Sequence, residues 1–245
     1  MNRASVTSVD LIVGIRGDFR SRARRVDAAS VGSVLPHTLE RWGITPQPWR
    51  LCDSGADLDT AGANVLRGWN HVALERTGGP IRDLPISALM RTTWDGLELF
   101  GTLMLTGVDA IVPPDYSVSA MLERLAASTV RDSDRQVLPA PMILVEAGRA
   151  WPTSPVILWN PSALLEAMSE LVDVDNTGAE SLPRAEYLST DAPSPFASSD
   201  ENPFRAQVVL RDWTVDDAAW LAEVVAVSCR RVGIRQDVQV AVRLL

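Results

Sequence analysis

The side chains best suited to acid–base or nucleophilic chemistry are few. The chain has two histidines, His37 and His71, and two cysteines, Cys52 and Cys229. Cys52 is followed by Asp53, so a nucleophilic reading needs His37 or His71 to fold beside this pair. An imidazole next to Asp53 and an arginine could act as acid or base on a small anionic or sugar-like substrate. Each histidine has a plainer reading as a surface or core residue, and Cys229, in the run Val224–Cys229, reads as a small core side chain. Paired carboxylates occur at Asp57/Asp59, Asp173/Asp175 and Asp216/Asp217. A pair does not by itself specify a glycosidase, and the last one suits the positive end of a helix. All 23 basic residues are arginine. Without lysine the chain can form no Schiff base and carries no phosphate-binding P-loop lysine.

The candidates for a metal are Asp173, Asp175 and Thr177, in the run Asp173-Val174-Asp175-Asn176-Thr177-Gly178. Its spacing resembles the opening of a calcium loop, but position 12 holds Arg184 where a bidentate glutamate belongs. The same run is similar to the D-x-D-x-T motif of haloacid-dehalogenase-like phosphatases. That resemblance implies a buried strand before the motif and a lysine after it, and this chain offers an amphipathic helix and no lysine. Two Cys and two His without tight spacing exclude a zinc finger or ribbon. No G-x-S-x-G, G-x-G-x-x-G or H-E-x-x-H is present. The expectation is no resident metal and no cofactor.

Charge and aromatic content point to docking. The net charge is −8, which argues against broad nucleic-acid binding. The balance is uneven, because Arg16, Arg20, Arg22, Arg24 and Arg25 crowd into ten positions near the N-terminus. Such a cluster is either a solvated face or a site for an acidic partner. Eight tryptophans are many for this length. Most should pack in the core, but Trp94 and Trp151, each placed in a turn, are the best candidates for exposed anchors. Exposed Trp with Arg is the composition of interface hot spots.

These residues need a scaffold. The chain has 245 residues, 46% of them hydrophobic, and a mean hydropathy of +0.04, as expected for an ordinary soluble globular protein. Strands are expected at Val9–Ile15, Pro46–Leu51, Met142–Glu146, Val156–Trp159, Arg205–Leu210 and Val238–Leu245. A hairpin is expected over Ile86–Leu105, with Asp95-Gly96 as its turn, and Ala110–Val112 continuing the sheet. Helices are expected at Pro36–Gly43, from Asp57 to about Arg76, from Ser117, and from Pro161 to about Val172. The clearest is Val215–Arg231, with Thr214 and Asp217 close to a capping box and Gly233 as its stop. The segment 174–203 is long, acidic and rich in Ser and Pro, as functional loops often are.

The reading is an α+β fold, with mixed sheets covered by helices on one face. It is either divided into an N-terminal lobe, 1–130, and a C-terminal lobe, 136–245, or one continuous domain. Internal pseudo-symmetry is an option that no sequence repeat demonstrates. The apolar runs are too short for a signal peptide or a membrane helix, and the low cysteine count suits the cytoplasm. Arg, Ala, Val and Asp usage suits a GC-rich bacterium or its phage. The first functional expectation is a non-catalytic binding or assembly protein that docks a protein partner or another copy of itself. The alternative is a cofactor-independent enzyme using arginine for binding and Asp/His for acid–base chemistry.

Overall fold

A computed structural model describes residues 8–22, 49–75, 86–114, 141–172, 174–175, 196, 203–210 and 212–245. In chain order these form β1 (Ser8–Ser21), β2 (Trp49–Ala56), β3 (Leu66–Glu75), α1 (Ile86–Glu98), β4 (Gly101–Val112), β5 (Met142–Arg149), α2 (Pro161–Ser169), β6 (Val174–Asp175), β7 (Phe204–Val209), α3 (Val215–Arg231) and β8 (Val238–Leu244). The strands make one sheet in the order β2-β3-β1-β4-β8-β5-β7-β6. Every neighbouring pair is antiparallel. The class is α+β, with the C-terminal strand–helix–strand unit in place.

The sheet order reads the same from both ends. Residues before Val112 contribute the outer-to-inner series β2-β3-β1-β4, and residues after Met142 contribute β6-β7-β5-β8. In each series the second strand is followed in the chain by a helix and then the innermost strand, so β3-α1-β4 and β7-α3-β8 are both crossovers spanning one intervening strand. With one constant offset, the pair Ile12–Ile111 corresponds to Leu144–Arg243. That offset also carries Asp109 onto its own cross-strand partner Ala241, so the pseudo-dyad passes through this pair at the β4–β8 junction.

One sheet face is buried under the helices. Leu11, Val13 and Ile15 of β1, Val108, Ala110 and Val112 of β4, and Val238, Val240 and Val242 of β8 join a core completed by α1 and α3. Burying each valine, leucine or isoleucine among them stabilises by roughly 1.5–3 kcal/mol. α3 and α1 also meet through charge. The Glu223 carboxylate accepts from the Ser87 backbone N–H at 3.1 Å and from its hydroxyl at 3.3 Å. It therefore sits at the positive end of α1. α3 itself is closed locally by the Thr214–Asp217 capping box, with Asp216 and Asp217 in its first turn and Arg230 and Arg231 in its last. α2 begins at Pro161, with the Asn160 side chain capping Ala163 N–H at 3.2 Å.

Two elements differ from the sequence expectation. Ile86–Glu98 is α1, not half of a hairpin. Ile86, Leu89, Met90, Thr93 and Leu97 recur at helical spacing and are all buried, and this periodicity outweighs the Asp95-Gly96 turn signal. Residues 66–75 form β3 rather than a helix. β3 is covered on both faces, so its apolar residues do not alternate cleanly, and the irregular step at Arg67 further obscures the period of two. Val156–Trp159 pairs with no strand among the described residues. The expected helices at Pro36–Gly43 and from Ser117 lie outside the described residues. Among the described residues no helix is long and apolar enough to cross a membrane.

Candidate functional site

The face of the sheet opposite the helices carries the chemistry. One row of direct cross-strand neighbours crosses seven strands: Gly55, Trp69, Gly14, Asp109, Ala241, Glu146 and Arg205. From Gly55 to Glu146 small residues alternate with larger ones. The Trp69 indole lies over Gly55, where a Cβ would come within 2.4 Å of its ring nitrogen.

At the pseudo-dyad, Asp109 is fully buried between two guanidinium groups. Arg16 Nε donates to Asp109 Oδ2 at 2.5 Å, and Arg243 Nη2 donates to Oδ1. The two arginines come from opposite halves of the chain, and both flank Gly107. Gly107 is required there, because a Cβ would stand 2.7 Å from Arg243 Cδ. Burial would raise the Asp109 pKa, but Arg16 and Arg243 overcome that and hold it below the usual carboxylate range. Two positions further along the row, beyond Ala241, the buried Glu146 carboxylate accepts from Arg205 Nε at 3.0 Å.

Beside this polar centre lies an apolar socket. Phe196, only 1% exposed, packs among Ile12, Leu66, Ile111 and Ala150, with Trp69 and Trp151 at the rim. The ring lies directly over Gly14. Trp151 is half-buried and its Nε1 donates to Asp237 Oδ2 at 2.8 Å.

At one end of the open face the apolar side chains are uncovered. Met142 is the cross-strand partner of Val209, and Leu245 N–H donates to Met142 O at 3.0 Å. Met104 points to the same face from β4, towards the same end of the sheet. Exposures of 62% for Met104, 50% for Met142 and Leu245, and 38% for Val209 make these four a solvent-facing apolar stripe. Arg20, cross-strand partner of Thr102, and Arg22, whose Nη2 donates to the Thr102 hydroxyl at 3.3 Å, are exposed at that end.

The residues singled out in sequence divide between these places. Arg16 is not part of a basic surface patch, because strand alternation turns it onto Asp109 in the interior. Arg20 and Arg22 are exposed, on and just beyond the end of β1. Trp94 is not at a hairpin tip. It lies in α1, partly buried against the core. Trp151 keeps its turn, rimming the Phe196 socket.

His71 lies in β3, where its Nε2 is 3.0 Å from Asp10 Oδ1 and its backbone pairs opposite Asp53. This contact is partly exposed, near the β2 edge of the sheet. Cys52 is exposed at the irregular step between Leu51 and Asp53, and its thiol contacts Arg50 O at 3.8 Å. Cys229 is buried, and burial pushes its thiol up to about 12. Arg24, Arg25, His37, Asp173 and Thr177 lie outside the described residues, and Asp175 is described only as a backbone partner of Gln207. Among the described residues no group of three or more His, Cys, Asp or Glu could hold a metal ion.

Sequence reasoning missed Asp109, Arg243, Phe196 and the apolar stripe. A buried Asp inside the apolar run Val108–Val112 was the one local signal for the first. Partners more than 90 residues away in sequence leave none. A comparison with protein-family models, with curated proteins and with solved structures finds no match.

Proposed function

We propose that this protein is a binding and assembly component, docking a protein partner on the open sheet face. The observation that carries this reading is the stripe Met104, Met142, Val209 and Leu245, exposed beside Arg20 and Arg22. The matching partner presents an apolar ridge flanked by carboxylates. Apolar contact supplies the affinity, and the arginines supply orientation and association rate. The stripe is formed by strands from both halves of the chain, so it belongs to the assembled sheet. Arg16, Asp109 and Arg243 are engaged with one another, as are Glu146 and Arg205, which suits a structural role for these five.

The test is quantitative capture from native lysate with sizing of the complex. Met104→Glu with Met142→Glu should reduce capture of the principal partner at least tenfold while thermal unfolding stays near the native value. Arg20→Glu with Arg22→Glu should reduce it further at low salt than at moderate salt. Capture unaffected by either pair would remove the reading. Loss of a native dimer in the same variants would identify the partner as a second copy.

The enzyme reading rests on a different place, the His71–Asp10 contact opposite Asp53. Its requirement is that His71→Ala abolishes a turnover measured on small anionic or sugar-like substrates. Turnover retained in that variant would end it.

A further inference from the structure

β2 closes one end of the sheet. Among the described residues it pairs with β3 alone, so its other side carries a row of backbone N–H and C=O groups with no strand beside it. Such edges are commonly guarded by lysine, proline or a bulge. β2, eight residues long, has neither lysine nor proline. Arg50 and Asp53 are the only charged residues between Gly43 and Ala56. Both are exposed, and neither forms an ion pair with a described residue. Asp53 Oδ1 accepts from the Ser54 N–H at 2.8 Å, which holds the carboxylate beside the strand.

The irregular step at Cys52 decides how these two charges stand. Residues three apart on a regular strand point to opposite faces. Here Arg50 pairs opposite Ala73, and Asp53 opposite His71, two residues along β3. Ala73 and His71 face Asp10 and Ile12 of β1. The extra residue therefore puts Arg50 and Asp53 together on the face away from the helices, while Leu51 packs against the core on the other. The nearest other charges on that face, Asp10 and His71, lie further in and meet each other at 3.0 Å.

We propose that β2 is a self-pairing edge, through which two copies of this chain join their sheets antiparallel about a two-fold axis. With the axis normal to the sheet and between Leu51 and Cys52, Arg50 stands opposite Asp53 of the second copy, and Asp53 opposite its Arg50. The two irregular steps coincide at the axis, and the faces carrying the charges lie on the same side. A slip of one residue would turn Arg50 against the opposite face. One charge of each sign, placed symmetrically about a point, is complementary to itself, so the edge selects a second copy as its occupant. The stripe of Met104, Met142, Val209 and Leu245 takes no part, so either surface can fail alone.

Sedimentation of the full chain across the micromolar range should show a reversible dimer, and amide exchange over Trp49–Ala56 should slow as the dimer forms. Arg50→Asp sets like charges opposite each other twice and should weaken the dimer at least tenfold, and Asp53→Arg should do the same. An equimolar mixture of these two variants should form a mixed dimer, because the four charges are again complementary. Both substitutions in one chain should restore self-pairing. Met104→Glu with Met142→Glu should leave the dimer unchanged. Should a reversal not fold, Arg50→Gln and Asp53→Asn remove the charges without reversing them, and each should weaken the dimer several-fold. A native chain that stays monomeric throughout would overturn the proposal. A dimer that withstands both reversals, or a mixture of the two variants that stays monomeric, would overturn it as well.

Discussion

The two halves of the sheet share a strand order and diverge in what they add to it. In the first half the outermost position is filled by β2, eight residues long, and the connection from β2 to β3 is short. In the second half the same position holds β6, two residues long, and the connection to β7 is the long acidic segment. The short connection is organised by Arg67, fully buried, which donates to Gly17 O at 2.7 Å, Thr60 O at 2.6 Å, Gly62 O at 2.8 Å and Asp57 O at 3.2 Å. The long one places Phe196 on the open face. A symmetric scaffold thus carries one rigid loop and one segment with an anchor. The junction between halves holds the buried charge cluster that both must share.

That comparison breaks most severely at the junction. Asp109→Asn removes the carboxylate that both arginines face and should cost about 3–5 kcal/mol, the usual loss when one member of a buried ion pair is deleted. The effect has a defined pH dependence. The native pKa of Asp109 is lowered, so its ionised form adds stability above the unfolded-state value of about 3.9. This contribution is lost as pH falls through the lower native value. The gap in chemical-denaturation stability between native protein and Asp109→Asn should therefore be full at pH 7 and narrow in acid. A gap independent of pH would contradict the ion-pair account.

The next largest effect tests the rigid loop. Arg67→Met keeps the stem and removes the guanidinium that satisfies four carbonyl groups. The expected loss is about 2–3 kcal/mol, read as a lower denaturation midpoint at unchanged slope. Hydrogen exchange should rise first over Asp57–Gly62, leaving β7 and β8 protected. Equal deprotection of both halves would mean the loop is not a local unit.

The same contrast governs what could be read from sequence. The second half was largely legible: β5, β7, α3 and β8 fall where periodicity puts them, because α3 carries its own cap and its own end charges. In the first half α1 and β3 were exchanged for hairpin and helix. α1 has no acidic residue in its first turn and no basic residue in its last. The carboxylate at its start is Glu223, 136 positions away. Tertiary contacts supply there what local sequence supplies in α3. The open-face site was legible only in fragments. Arg20 and Arg22 showed as charge, but the row from Gly55 to Arg205 exists only through pairing of distant strands. Gly14 and Gly107 give no sign, in sequence, of the side chains they make room for.

The capping comparison yields a smaller effect. Thr214→Ala removes the side chain that accepts from Asp217 N–H at 3.2 Å and donates to its carboxylate at 2.6 Å. A loss of about 1 kcal/mol is expected. For α1 the equivalent cap is Glu223, so Glu223→Gln, which keeps an acceptor oxygen but loses the charge, should have a milder effect, seen as fraying of the first turn of α1 in hydrogen exchange. If Thr214→Ala were silent and Glu223→Gln costly, the assignment of local and tertiary caps would have to be reversed.

The smallest effect concerns the two thiols, one in each half. Cys52 is exposed on the β2 edge, whereas Cys229 is buried in α3 with its thiol pushed up to about 12. Only the thiolate reacts with a disulfide reagent. The native protein at pH 8 should therefore titrate one thiol per chain, and the denatured protein two. Cys52→Ser should reduce the native count to zero with little change in stability, as expected of an exposed side chain. Because Cys229 reports on the α3 core, its slow labelling in mild denaturant should follow opening of the second half. In the Arg67→Met variant that rate should stay near the native value if the loop unfolds as a local unit, and should rise with global destabilisation if it does not.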